Sequence, residues 1–225
     1  MGQPAALREG DAGVVTPLEP RDAGRDPLTA AEVTAYVVGA AVWAPSVHNT
    51  QPWWFAAEGA GIALYAEAGG QLTVADPGGR EMMISCGAAL FTAKLALRSL
   101  GYIVDSRVLP DQADPLLVAR LRWRRQAAPA GFELRLFSQV TRRRTHRGWF
   151  EPLPLMPGLL AASRQGAARD GAAVRVASDE GSTAALAAVA EMAERVQRSG
   201  SGSVRELAAW ALPPGRMRPD GVSPR

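Results

Sequence analysis

Residues 84 to 91, Ile84-Ser85-Cys86-Gly87-Ala88-Ala89-Leu90-Phe91, are small and apolar nearly all the way round a helical turn. A helix with no polar face is driven into an interior, and small side chains let a neighbouring helix or sheet come close. The helix that carries this stretch is expected from Met82 to Leu100, with Asp76-Pro77 as its cap and first-turn proline and Gly101 just past its end. It is read as the central core helix. Thr29-Ala30-Ala31-Glu32 is a capping box, with Leu28 and Val33 placed as a hydrophobic staple, so a second apolar helix is expected from Thr29 to about Ala44, stopped by Pro45. Strands are expected at Trp53 to Phe55, Ile62 to Ala66, Tyr102 to Leu109 and Leu117 to Trp123. In the last, Leu117, Ala119, Leu121 and Trp123 alternate with Val118, Arg120 and Arg122, a half-exposed strand in a hairpin across Pro110 to Pro115. Further helices are expected at Phe132 to Thr141, Pro157 to about Gln165, Thr183 to Arg198 and Ser203 to Ala211, with a strand at Ala172 to Ala177. Helices mixed with hairpins, rather than a regular βαβ array, give an α+β class with an antiparallel-rich sheet.

The chain has 225 residues, 47% of them hydrophobic, enough for one ordinary core or two small ones. No apolar run approaches the ~20 residues that cross a bilayer, and the first residues lack a basic start followed by an apolar stretch. A cytoplasmic protein with no membrane contact is the expectation. Cys86 is the single cysteine, and His48 and His146 are the two histidines, so neither a disulfide framework nor a multi-histidine metal site is expected. No Gly-x-Gly-x-x-Gly follows a strand, and no P-loop is present. Residues 1 to 27 read as a flexible extension and 213 to 225 as a flexible tail, with segments 28 to 130 and 131 to 212 between them.

Lys94 is the only lysine among 25 basic residues, and the arginines cluster twice: Arg120, Arg122, Arg124 and Arg125, then Arg142, Arg143, Arg144 and Arg147. The first cluster reads as a solvated sheet face. The second follows a helix. Its guanidinium groups suit a phosphate, but they equally suit the negative end of a helix dipole facing water, or nonspecific contact with nucleic acid. Aromatic interleaving is limited to Trp149 and Phe150, so no specific nucleic-acid module is expected. A second polar segment, Ala44-Pro45-Ser46-Val47-His48-Asn49-Thr50-Gln51-Pro52-Trp53, lies between a buried helix end and a strand. Its two prolines stiffen it. It can present Ser46, Asn49 and Gln51 to a flat polar ring, or it is a well-capped connection and nothing more.

Taken in order, Pro45-Ser46-x-x-Asn49-x-Gln51-Pro52-Trp53, Asp76-x-x-x-Arg80-Glu81, the helix Ile84 to Leu90, and Arg143-Arg144-Thr145-x-Arg147 resemble the nitroreductase family, nearest its Acg-like branch, from Thr29 onward. The resemblance implies a nitroreductase-like fold and an FMN cofactor. NAD(P)H would be the electron donor, with nitroaromatic or quinone-like acceptors as the small-molecule substrates. It also implies a flavin pocket between two halves, which are two subunits of a homodimer in most members and are fused in one chain in this branch. Pro45, Ser46, Val47, Asn49 and Gln51 would border the flavin from the first half (28 to 130). Arg143, Arg144, Thr145 and Arg147 would hold phosphate and ring from the second (131 to 212). No catalytic side chain is required, since the reactive chemistry belongs to the flavin. His48 is then a loop residue, His146 a spacer or a flavin contact, and Cys86 a core residue. Fused members continue beyond the segment matching Ser203 to Trp210, so the second half is expected to be incomplete. Two alternatives follow from that: a protein that sequesters FMN without turnover, or an inactive fragment.

Overall fold

The computed structural model describes residues 6–7, 28–59, 61–125, 128–146, 148–151 and 153–211. Five antiparallel strands form one sheet in the order β1-β2-β3-β5-β4. They are β1 (Ala6–Leu7), β2 (Trp53–Ala57), β3 (Gly61–Ala66), β4 (Tyr102–Val108) and β5 (Leu117–Arg125). The four longer strands follow from β-branched, aromatic and alternating segments, and β4 and β5 are the expected hairpin. Apart from Ala6–Leu7, which pairs with Ala56 and Phe55, the expected N-terminal extension lies outside the described residues, as does the expected tail at 213 to 225.

Two helices cover one face of this sheet. The first, α1 (Ala30–Ala41), opens with the capping box: the Glu32 amide donates to Thr29 Oγ1 at 3.3 Å, and the Thr29 amide donates back to Glu32 Oε2 at 2.8 Å. Tight i→i+3 bonds from Trp43 to Ala40 and from Ala44 to Ala41 carry the chain on to Pro45. The second, α2 (Arg80–Ser99), is the central helix. It buries Ser85, Cys86, Ala89, Leu90, Thr92, Ala93, Leu95, Ala96 and Leu97 against α1 and the sheet. Its start differs from the expectation in an instructive way. Gly79, with φ +67°, holds the cap position, and Asp76 acts from further back, its Oδ2 accepting from the Met82 amide at 2.8 Å. Only a glycine turns into the helix there without steric cost, while the carboxylate still satisfies a first-turn amide.

The main core joins Trp53, Phe55, Ile62, Leu64, Ala119 and Leu121 from the sheet to Val33, Val37, Val38 and Ala40 from α1 and the buried side of α2. One alternation is corrected. Leu117 does not share a face with Ala119 and Leu121. The register shifts between Leu64 and Tyr65, so that Tyr65 pairs with Leu117 while Leu64 pairs with Ala119. The bulge turns Leu117 to the opposite face, with Ala56, Ala63 and the stacked rings of Trp54 and Tyr65, and brings Val118 into the main core. Arg120, Arg122 and Arg124 lie at the expected sheet surface, Arg120 reaching Glu58 at 3.3 Å.

By compactness the chain divides into one unit of residues 1–144 with 202–225 and another of 145–201. The first unit takes in α3 (Gly131–Phe137), which is shorter than the expected helix to Thr141 and continues in i→i+3 turns to Arg142. Phe137 is buried beside Tyr36, and Glu133 pairs with Arg98 at 3.0 Å, so α3 packs on α2. Near the end of the described chain comes α6 (Ser201–Trp210), whose Glu206 carboxylate accepts from the Val74 and Ala75 amides at 2.9 Å each.

The second unit holds α4 (Leu159–Arg169), entered through Gly158 at φ +80°, and α5 (Glu180–Ser199), capped by Asp179. The expected strand at Ala172 to Ala177 is not formed: these residues have no regular structure and no ladder partners. A strand is stabilised by its neighbours, and no other strand lies in this unit among the described residues. No described helix is long and apolar enough to cross a membrane.

Candidate functional site

The segment after α1 is a short, tightly held loop. Ser46 precedes a single 3₁₀ turn, Val47–Asn49, and its Oγ accepts from the Gln51 amide at 3.0 Å. Three of the six residues between Ser46 and Gln51 have positive φ: His48 (49°), Asn49 (55°) and Gln51 (44°). None is glycine, and each such residue costs on the order of 1–3 kcal/mol. Strain of this kind persists only where surrounding contacts dictate it. Here they converge on Pro52, which is fully buried. Its carbonyl accepts from the Glu67 amide at 3.0 Å and from the Cys86 thiol at 3.2 Å. Gly70 presses on its other side, so closely that a Cβ at that position would stand 2.9 Å from Pro52 Cα. Burial pushes the Cys86 thiol up to about 12, which keeps it protonated, a donor to Pro52 and unreactive near neutral pH.

The arginine run leaves the turns that follow α3. The amides of Arg142 and Arg143 both donate to the Gln139 carbonyl, at 3.1 and 2.9 Å. Because α3 is fixed on α2, the run emerges beside the end of α1. Arg143 Nη2 lies 3.4 Å from the Trp43 carbonyl, and the Arg144 guanidinium stands over the Trp43 ring, 5.8 Å from its centroid.

Between them lies a groove of about 440 Å³ lined by Trp43, Pro45, Ala88, Phe91, Thr92, Leu95, Leu136, Gln139, Val140 and Arg143. Its walls are aliphatic and aromatic. Arg143 is the one charged residue in the lining. Such a groove suits a flat apolar body carrying negative charge at one end.

The structure therefore brings part of the expected constellation together. Pro45 and Arg143 line one groove, and Arg144 stands beside it on Trp43. Ser46, Val47, Asn49 and Gln51 form the strained, half-buried turn that continues from Pro45. Thr145 and His146 fall in the second unit, where His146 Nε2 meets the Trp149 carbonyl at 3.2 Å and its ring meets Phe150 edge-on. Arg147 lies outside the described residues. Trp43, Ala88 and Phe91 were not singled out from the sequence. Trp43 carried a faint signal, as a large ring immediately before Ala44-Pro45. Phe91 offered another, as the one aromatic residue in a stretch of otherwise small side chains and aliphatics. No group of histidine, cysteine and carboxylate side chains that could hold a metal ion occurs among the described residues.

No family model matches the chain. Over 181 residues, 80% of its length, it is 33% identical to "Putative NAD(P)H nitroreductase Rv3131" of Mycobacterium tuberculosis (strain ATCC 25618 / H37Rv), matching 52% of that protein. The chain is similar to a protein of the nitroreductase-like family. Over 107 residues the chain is also 33% identical to "Putative NAD(P)H nitroreductase acg" of the same strain, covering 48% of itself and 31% of that relative. A third relative, "Uncharacterized protein Rv3127", is 26% identical over 174 residues, 76% of this chain and 50% of its own length. The chain spans about half the length of the curated relatives it matches. Its mixed helices and antiparallel sheet fit the α+β nitroreductase-like fold.

Proposed function

We propose that the chain supplies the flavin-binding part of an FMN-dependent NAD(P)H oxidoreductase of nitroreductase type, acting on nitroaromatic or quinone-like acceptors. The observation that carries this reading is the shared groove of Pro45 and Arg143, bordered by a loop held in strained backbone. A planar ring system with a phosphate tail matches an apolar slot with one guanidinium group in its lining and a second on the Trp43 ring. When bound, FMN would supply the hydride chemistry. The chain's own residues then have three tasks. Pro45 and Val47 give the ring an apolar border. Ser46, Asn49 and Gln51 set a fixed, polar backbone turn at its edge, rigid enough to orient a ligand without ordering cost at the moment of binding. Arg143 and Arg144 hold the phosphate by charge-assisted hydrogen bonds, and Thr145 and Arg147 are assigned to it by the sequence motif alone.

A cytoplasmic location and assembly as a homodimer belong to the same proposal. The dimer is supported by the second unit, in which no described residue is buried and Leu186, Val189, Met192 and Val196 form an exposed stripe along α5. The deciding experiment uses the purified full chain. Yellow protein that releases FMN on denaturation and is bleached anaerobically by NADH or NADPH is the expected result. Yellow protein that neither donor bleaches points to sequestration without turnover. Colourless protein that cannot be reconstituted with FMN overturns the flavin reading. Arg143→Ala combined with Arg144→Ala is expected to weaken FMN binding, and unchanged affinity removes these residues from the site.

A further inference from the structure

The loop and the arginine run meet at one residue that neither motif contains. Trp43 is 37% exposed, and both of its ends are engaged. Its amide is bound back to Ala40 at 3.1 Å, and its carbonyl faces Arg143 Nη2 at 3.4 Å. Its ring forms a shelf under the Arg144 guanidinium. Arg144 is held on a second side as well, since Nη1 donates to the Thr141 and Arg143 carbonyls at 2.6 and 2.8 Å. One face and one nitrogen are thus committed, while among the described residues nothing hydrogen-bonds the Nε and Nη2 edge. Among the described residues no carboxylate forms an ion pair with Arg144. Stacking uses the face of a guanidinium and hydrogen bonding uses its edge, so the Trp43 shelf and an anion can be satisfied together.

We propose that Trp43 is a positioning residue: it holds Arg143 and Arg144 in one orientation for the phosphate of the ligand and so makes the site prefer a phosphorylated flavin over a non-phosphorylated one. The proposal rests on the flavin reading above. A long arginine side chain loses several rotamers when it binds an anion. A ring that holds the guanidinium beforehand removes that loss only for ligands that carry the anion, so the effect falls on FMN and spares riboflavin.

The test titrates FMN and riboflavin separately into the wild-type full chain and into Trp43→Leu and Trp43→Phe, following flavin fluorescence at low and high salt. Trp43→Leu is expected to weaken FMN binding about five- to tenfold, to leave riboflavin within about twofold and to flatten the salt dependence. Trp43→Phe, which keeps a ring, restores most of the loss. In an Arg144→Met background, Trp43→Leu should have no further effect on FMN, and this comparison stands even if Trp43→Leu is partly destabilised. Equal losses for FMN and riboflavin, or no change for FMN while wild type binds it, overturn the positioning role and leave the flavin reading intact. Wild-type protein that binds neither flavin overturns the flavin reading itself.

Discussion

The helices α2 and α5 are both 20 residues long, and they end in opposite conditions. α2 buries nine residues between α1 and the sheet, while α5 buries none. Both are rich in alanine and carry few strong helix breakers, so propensity does not separate them. What separates them is the presence of a partner surface. The apolar positions of α2 face a sheet built from segments on both sides of it in sequence. Those of α5 lie along one side of a helix whose own unit offers, among the described residues, α4 and irregular chain. The lesson is that amphipathic pattern states which face needs covering and leaves open what covers it. Intrahelical pairs, Glu191 with Arg195 at 3.2 Å and Glu194 with Arg198, support α5 only weakly, since exposed pairs of this kind contribute ~0.3–0.5 kcal/mol.

Substitutions probe this contrast directly. The largest effect is expected for Leu97→Ala in α2, at a site with no exposure, where the lost burial and the cavity cost ~2–5 kcal/mol by chemical denaturation. Next is Gly70→Val. The new side chain meets Pro52 backbone, so a stability loss of ~1–3 kcal/mol is expected. It should come with weaker FMN binding, a loss that Leu97→Ala does not cause at temperatures where it is folded. The caps follow. Thr29→Ala removes the side-chain arm of the capping box, while the backbone amide at position 29 can still donate to Glu32, and is expected to lower the stability of the first unit by about 1 kcal/mol. At α5, hydrogen bonds from Ser182 hold the Asp179 carboxyl below the ordinary aspartate range. A depressed folded value means that this contribution is complete above the unfolded value of about 3.9 and is lost as pH falls through the folded one. Hydrogen exchange in the first turn of α5 should therefore speed up only in that acid window, and in Asp179→Asn the acid step should vanish. The smallest effect is expected for Val189→Ala on α5, within ~0.5 kcal/mol if the helix stands uncovered. A loss as large as that of Leu97→Ala would show that a partner covers α5 in solution.

Much of the first unit was legible in residue order. The capping box at Thr29, the burial of α2, the hairpin of β4 and β5 and the α+β class all follow from local signals that the tertiary structure reinforces. The misses share a cause. Leu117 changed face because β5 itself carries one extra residue, Val118, opposite the Leu64–Tyr65 step of β3, and a period-two reading cannot tell where such an insertion interrupts the pairing. The strand expected at Ala172 to Ala177 had suitable residues and no ladder to join. Asp76 was recognised as a cap, but the glycine pair at 78 and 79 moved it out of the cap position. In the candidate site, the polar loop and the arginine run stood out by composition. Trp43 did not, because its importance lies in standing between segments separated by about a hundred residues.

From its residues alone the chain determines its helix starts, its central apolar helix and the chemical character of its two polar segments, because capping, periodicity and side-chain charge act within a few residues. Tertiary structure decided the rest: which strand face Leu117 joins, the left-handed backbone at His48, Asn49 and Gln51, and the meeting of Pro45 with Arg143 in one groove. Those outcomes depend on distant chain arriving at the same place, Gly70 and Cys86 against Pro52 and α3 against α2. Long-range packing of that kind is written in no single stretch of sequence.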